Sequence, residues 1–75
     1  MKNEVVLQAF GQHLRQLRKA RGWSQQALAD ESDVSKPTIH RIETARYSAT
    51  LDVLVSLAQA LEIPLAELVS FGGAS

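Results

Sequence analysis

The sequence contains no cysteine. That absence excludes disulfide scaffolds, thiolate nucleophiles and cysteine-ligated zinc, and it fits a reducing compartment. Aromatic side chains are scarce, with one Trp, one Tyr and two Phe. Binding of single strands or RNA by stacking needs several exposed aromatics on a basic groove. Phe10, Trp23, Tyr47 and Phe71 are too few for that once a core has taken its share. Apolar runs last only a few residues, far short of the roughly 20 that cross a bilayer, and the amino terminus lacks a charged-then-apolar signal pattern. No membrane association is expected, and the location expected is cytoplasmic. His13 and His40 are the only histidines. Neither is accompanied by a Ser/His/Asp set, a glycine-rich phosphate loop or clustered carboxylates, so no enzyme, metal site or cofactor is expected.

An excess of charge of one sign is also missing, because eight Lys and Arg balance eight Asp and Glu. The balance is uneven along the chain. From Gly11 to Tyr47 seven bases stand against four acids, whereas from Ser48 to Ser75 there are three acids and no base. Such a polarised molecule offers a basic half to an anionic partner and an acidic half that faces away. A chain of 75 residues buries only about 60% of its unfolded surface and supports one core. Residues 1–71 are therefore expected to form a single domain, with 72–75 as a flexible tail.

Hydrophobic periodicity reads as helix throughout, and no run of alternating β-branched or aromatic residues suggests a strand. Val6, Phe10, Leu14 and Leu17 form one face of a first helix, which Gly22 ends. Ser24 caps a short second helix. Ser35 caps a third that carries Pro37 in its first turn and runs to about Thr44. Thr50 caps a fourth, with Leu51, Leu54, Leu57, Ala58 and Leu61 as its core-facing stripe, and Pro64 restarts the chain for a short fifth helix.

The ordered set Gly22-Trp23-Ser24-Gln25-Gln26-Ala27-Leu28-Ala29, then Val34-Ser35-Lys36-Pro37-Thr38-Ile39-His40-Arg41-Ile42-Glu43, resembles the helix-turn-helix of the XRE (Cro/CI-type) regulators. Phe10-Gly11 and Leu14-Arg15-Gln16-Leu17-Arg18 look like that family's first helix, and Leu51-Asp52-Val53-Leu54 and Leu57-Ala58-Gln59-Ala60-Leu61 like its fourth. The resemblance implies an all-α, five-helix, lambda-repressor-like domain whose helix-turn-helix runs from Ser24 to Thr44.

It also implies sequence-specific binding of a double-stranded DNA operator. Ser35, Lys36, Pro37, His40 and Arg41 occupy the base-reading positions, near the end of the third helix that enters the major groove first. Arg41 or Lys36 suits guanine, Pro37 an apolar contact, and His40 either a base edge or phosphate. Gln25, Thr38, Arg46 and Tyr47 match phosphate-contacting positions, with Gln25 placed where a helix amino end attracts anions. Arg18 and Glu43 match a structural ion pair, and Trp23 reads as a core plug. The pattern departs from the family at Asp33, Ala45 and Ala49, where glycine, glycine and proline are frequent.

One such module makes few phosphate contacts, so a homodimer reading a pseudo-palindromic operator is expected, with half-sites about 10 base pairs apart. Leu65, Leu68, Val69 and Phe71 are the expected interface. Restriction-modification controllers, antitoxins and phage repressors are the small family members it resembles. In the antitoxin alternative the main act is binding a partner protein, a toxin, and DNA autoregulation is secondary. Polymerase is another protein partner of such regulators.

Overall fold

The structure, a computed structural model, describes residues 3–71. Four of its helices start at a short polar side chain that accepts from an amide left open in the first turn. Asn3 Oδ1 accepts from the Val6 N–H at 3.2 Å and opens α1, Glu4–Ala20. Ser24 Oγ accepts from Ala27 at 3.0 Å at the head of α2, Gln25–Ser32. Ser35 Oγ accepts from Thr38 at 3.3 Å before α3, Lys36–Glu43. Thr50 Oγ1 accepts from Val53 at 3.2 Å before α4, Leu51–Leu61. Pro64 precedes α5, Leu65–Leu68, with no side-chain bond. No strand forms among the described residues, so the all-α, five-helix expectation is borne out. Residues 72–75, expected as a tail, lie outside the described residues.

The same four helices end in a left-handed residue, although only Gly22, at φ 72°, is a glycine. Asp33, Ala45 and Glu62 hold φ 60°, 62° and 58°. After α1 the Trp23 N–H reaches Arg18 O at 3.2 Å and the Gly22 N–H reaches Lys19 O at 2.9 Å. This pairing closes the last orphan carbonyls. Arg46 N–H to Arg41 O at 2.7 Å repeats it after α3, and Ile63 N–H to Ala58 O at 3.1 Å after α4. Asp33 closes α2 with a single bond to Ala29 O at 3.0 Å. The departures from the family pattern at Asp33 and Ala45 therefore leave the backbone path left-handed, and the cost falls on the Cβ instead.

Leu14, Leu28, Ile39, Ile42, Leu57, Leu61 and Leu68 are fully buried, with Phe10, Ala29, Val34 and Ala58 around them. They bring α1 and α2 onto α3, and α2 and α5 onto α4. Leu51 was expected on the core stripe and is 66% exposed instead. At 100° per residue it lies roughly 90° round the helix from the centre of Leu54, Leu57 and Leu61, too far to share their face. Gly11 lets α1 touch α3 directly. A Cβ there would stand 2.5 Å from Ile42 O, a backbone atom with no freedom to swing aside. Trp23 is half-buried against the core. Its ring is covered by the Arg21 guanidinium at 4.6 Å, which also donates to Leu61 O and to Glu62 Oε1, each at 3.0 Å.

Ala45 is the residue that suits its conformation least, since an ordinary side chain costs roughly 1–2 kcal/mol in the left-handed region and glycine avoids that strain. Allowing for glycine's greater freedom when unfolded, Ala45→Gly is expected to raise stability by about 1 kcal/mol, seen as a higher urea midpoint. A lower midpoint would contradict the left-handed assignment.

Candidate nucleic-acid interface

The inward face of α3 is Ile39 and Ile42, at 0% and 1% exposure. Helical phase then obliges Lys36, Pro37, His40 and Arg41 to stand outward, and all four are exposed. The two ion pairs among the described residues are those of Arg18 and Arg21. The charges of Lys36, Arg41 and the exposed Arg46 thus remain available to an anion. Pro37 occupies the first turn, where its missing N–H costs nothing. Of the five expected base-reading residues, Lys36, Pro37, His40 and Arg41 share the outward side of α3, the first two in its first turn and the last two in its last turn, but Ser35 differs from the rest. Its Oγ caps Thr38 and its O–H donates to Thr38 Oγ1 at 2.8 Å. Its hydroxyl is occupied in holding the helix start.

The phosphate-contacting set is more dispersed. Thr38 is half-buried, and its own O–H remains to donate while it accepts from Ser35. Arg46 is exposed in the loop after α3, whereas Tyr47 is half-buried and packed on the core. Gln25 is half-buried, and its Nε2 donates to Glu43 Oε1 at 3.1 Å. The amide expected to meet phosphate is therefore partly committed within the protein. This bond between the two helices was not foreseen, because nothing in the spacing of Gln25 and Glu43 brings them together.

Glu43 is the centre of that region. Its Oε2 accepts from Arg18 Nε at 2.8 Å and its Oε1 from Arg18 Nη2 at 2.9 Å, with side-chain exposures of 8% and 4% for Arg18 and Glu43. Arg18 Nη1 donates to Trp23 O at 2.8 Å, so the guanidinium also closes the turn between α1 and α2. The hydrogen bonds to Glu43 raise the Arg18 pKa above its ordinary value, with burial acting in the opposite direction. The expected ion pair is present, and every buried side-chain polar atom among the described residues has a partner.

Of the expected interface residues, Leu68 is fully buried in the protomer's own core and offers no surface. Leu65 and Phe71 are half-buried, the latter with its ring 5.5 Å from that of Phe10. Val69 is 43% exposed. The other large exposed apolar residues among the described ones are Val5, Leu51 and Val55. His13 is half-buried and bonds through Nε2 to Glu67 O at 3.1 Å, tying α1 to α5.

Two short helices, joined through a left-handed Asp33 with the second presenting an unpaired basic face, make a helix-turn-helix. The helix-turn-helix domain family matches residues 9–71, and the chain belongs to it. The chain is 39% identical over 57 residues to the HTH-type transcriptional regulator SutR of Escherichia coli, a match covering 76% of this chain and 32% of that protein. It is 36% identical over 59 residues to the competence pilus inhibition repressor of Acinetobacter baylyi, covering 79% of this chain and 54% of that one. The chain thus spans about a third and about half of these relatives.

Among solved structures, the restriction-modification controller protein C.AhdI of Aeromonas hydrophila superposes with a TM-score of 0.80 at 39% identity, over 83% of this chain and 94% of that chain. An HTH_3 family transcriptional regulator of Vibrio cholerae gives 0.81 at 31% identity, over 85% of this chain and 36% of that one. The resemblance to XRE-type regulators is borne out.

Removing one member of the Arg18–Glu43 pair strands a buried charge, at a cost of about 3–5 kcal/mol, whereas apolar replacement of both is often neutral. Glu43→Leu alone is expected to lose most of the folded signal in a urea titration, and Arg18→Met with Glu43→Leu to recover it. A single variant as stable as the double would contradict the buried pair.

Proposed function

We propose that the chain is a non-enzymatic, sequence-specific regulator of transcription that binds double-stranded DNA through the major groove. In this reading it is one cytoplasmic DNA-binding domain over residues 1–71, and it reads a pseudo-palindromic operator as a homodimer. The observation that carries the proposal is α3, whose Lys36, Pro37, His40 and Arg41 are exposed on a helix locked into the core by Ile39 and Ile42. Rigid backing matters because base readout requires donors held in register with a groove. The relatives named as regulators or repressors support the regulatory part, and so does the likeness to a restriction-modification controller.

Arg41 and Lys36 are the guanine readers, Pro37 supplies an apolar contact and His40 reads a base edge or phosphate. Gln25, Thr38, Arg46 and Tyr47 contact the DNA backbone phosphates. Dimerisation is supported by apolar side chains left outside the core. Val69 is exposed beside the half-buried Leu65 and Phe71, and the adjoining α4 adds Leu51 and Val55, at 66% and 37% exposure.

Selection of bound sequences from random duplex DNA tests the reading, and recovery of no enriched motif would overturn it. On the selected site, Arg41→Ala is expected to lose about 1–3 kcal/mol of discrimination at one or two base pairs, whereas Gln25→Ala weakens all duplexes alike. Equal loss of specificity from both would overturn this division of roles. Mass measurement in solution is expected to show a dimer that Val69→Glu converts to monomer with its helicity intact. A strict monomer, free and on DNA, removes the dimer from the account.

A further inference from the structure

We infer that Glu43 is a positioning residue for the DNA backbone contact, holding the Gln25 carboxamide in its binding orientation before DNA arrives. The inference rests on the proposed phosphate role of Gln25. Three donors converge on the Glu43 carboxylate: Arg18 Nε, Arg18 Nη2 and Gln25 Nε2. The Arg18 fork already matches the carboxylate's charge and geometry, so the third bond is not needed for neutralisation. Nor does Gln25 need it for solvation, because the residue is only half-buried.

What the bond adds is orientation. A carboxylate only accepts, so the nitrogen of the Gln25 amide, and not its oxygen, must face Glu43. That settles which way the amide points and leaves its second N–H for an external acceptor. A phosphate is the acceptor proposed for Gln25 above, and the exposed bases Lys36, Arg41 and Arg46 would attract one. A solvated glutamine must order its rotatable bonds on binding, whereas this one is ordered in the free protein. The saving corresponds to about 2- to 10-fold in Kd. The ion pair thereby couples a core interaction to a surface contact through one shared carboxylate.

Two measurements test this. In the free protein, NMR of the side-chain amides is expected to show one Gln25 hydrogen protected and shifted relative to those of the exposed Gln8, Gln12 and Gln16. On addition of the selected duplex the second Gln25 hydrogen shifts while the first keeps its bond. A Gln25 amide indistinguishable from the exposed ones, or loss of the Glu43-bonded signal on DNA, overturns the inference.

The second measurement is a cycle of duplex affinities with and without Gln25→Ala, in the native background and in the Arg18→Met, Glu43→Leu background. The paired background is expected to bind about 2- to 10-fold more tightly, with Gln25→Ala costing several-fold there and distinctly less without Glu43. An equal cost in both folded backgrounds overturns the positioning role alone. Failure of the unsubstituted chain to bind any duplex overturns the phosphate role and this inference together. If the double variant does not fold, the amide signals decide.

Discussion

A buried ion pair holds the working geometry of this domain together. Arg18 on α1 and Glu43 on α3 are 25 positions apart in sequence, and their side chains are almost wholly removed from water. Such a pair is weak evidence for stability, because the desolvation cost of two charges offsets much of their attraction. Its value lies in direction. The guanidinium has a planar fork, and here its arms are used on Glu43 and Trp23 O. That arrangement fixes the end of α3 against α1 and against the entry to α2. Around the pair, Gly11 admits the Ile42 carbonyl where any side chain would block it. The outward residues of α3 inherit their orientation from these constraints.

The second constraint is local. Four helices in so short a chain must reverse direction within a few residues, and each reversal passes through a left-handed residue. Glycine supplies only one of them, so the others accept strain of the order of 1 kcal/mol each for the non-glycine cases. Asp33 is the best suited, since Asp visits this region more readily than most side chains. Ala45 has no such help. Its backbone is held by the Arg46 to Arg41 bond at 2.7 Å, which sets the path of the loop carrying Arg46 and Tyr47.

The element pattern was legible in the sequence because caps and helical periods are local properties. Ser24, Ser35 and Thr50 each do what a small hydroxyl before an apolar period does, and Pro37 sits where its ring is tolerated. The core stripe was less legible at α4, where Leu51 is apolar yet lies off the face that Leu57 and Leu61 share. Leu68 erred the other way. It is a residue of a four-residue helix near the chain end, and only the packing of that helix on α4 places it inside. The Gln25 to Glu43 bond had no signal at all, since it depends on the angle between α2 and α3. The Arg18–Glu43 pair became visible only through likeness to a family.

The outer face of α3, backed by this pair, is the surface proposed to meet DNA. Titration of the folded chain with its selected duplex, followed residue by residue by NMR, tests it most directly. The largest shifts are expected at Gln25 and from Lys36 to Arg41, with little change from Ser56 to Glu62. Shifts concentrated on α4 and α5, with α3 silent, would contradict it.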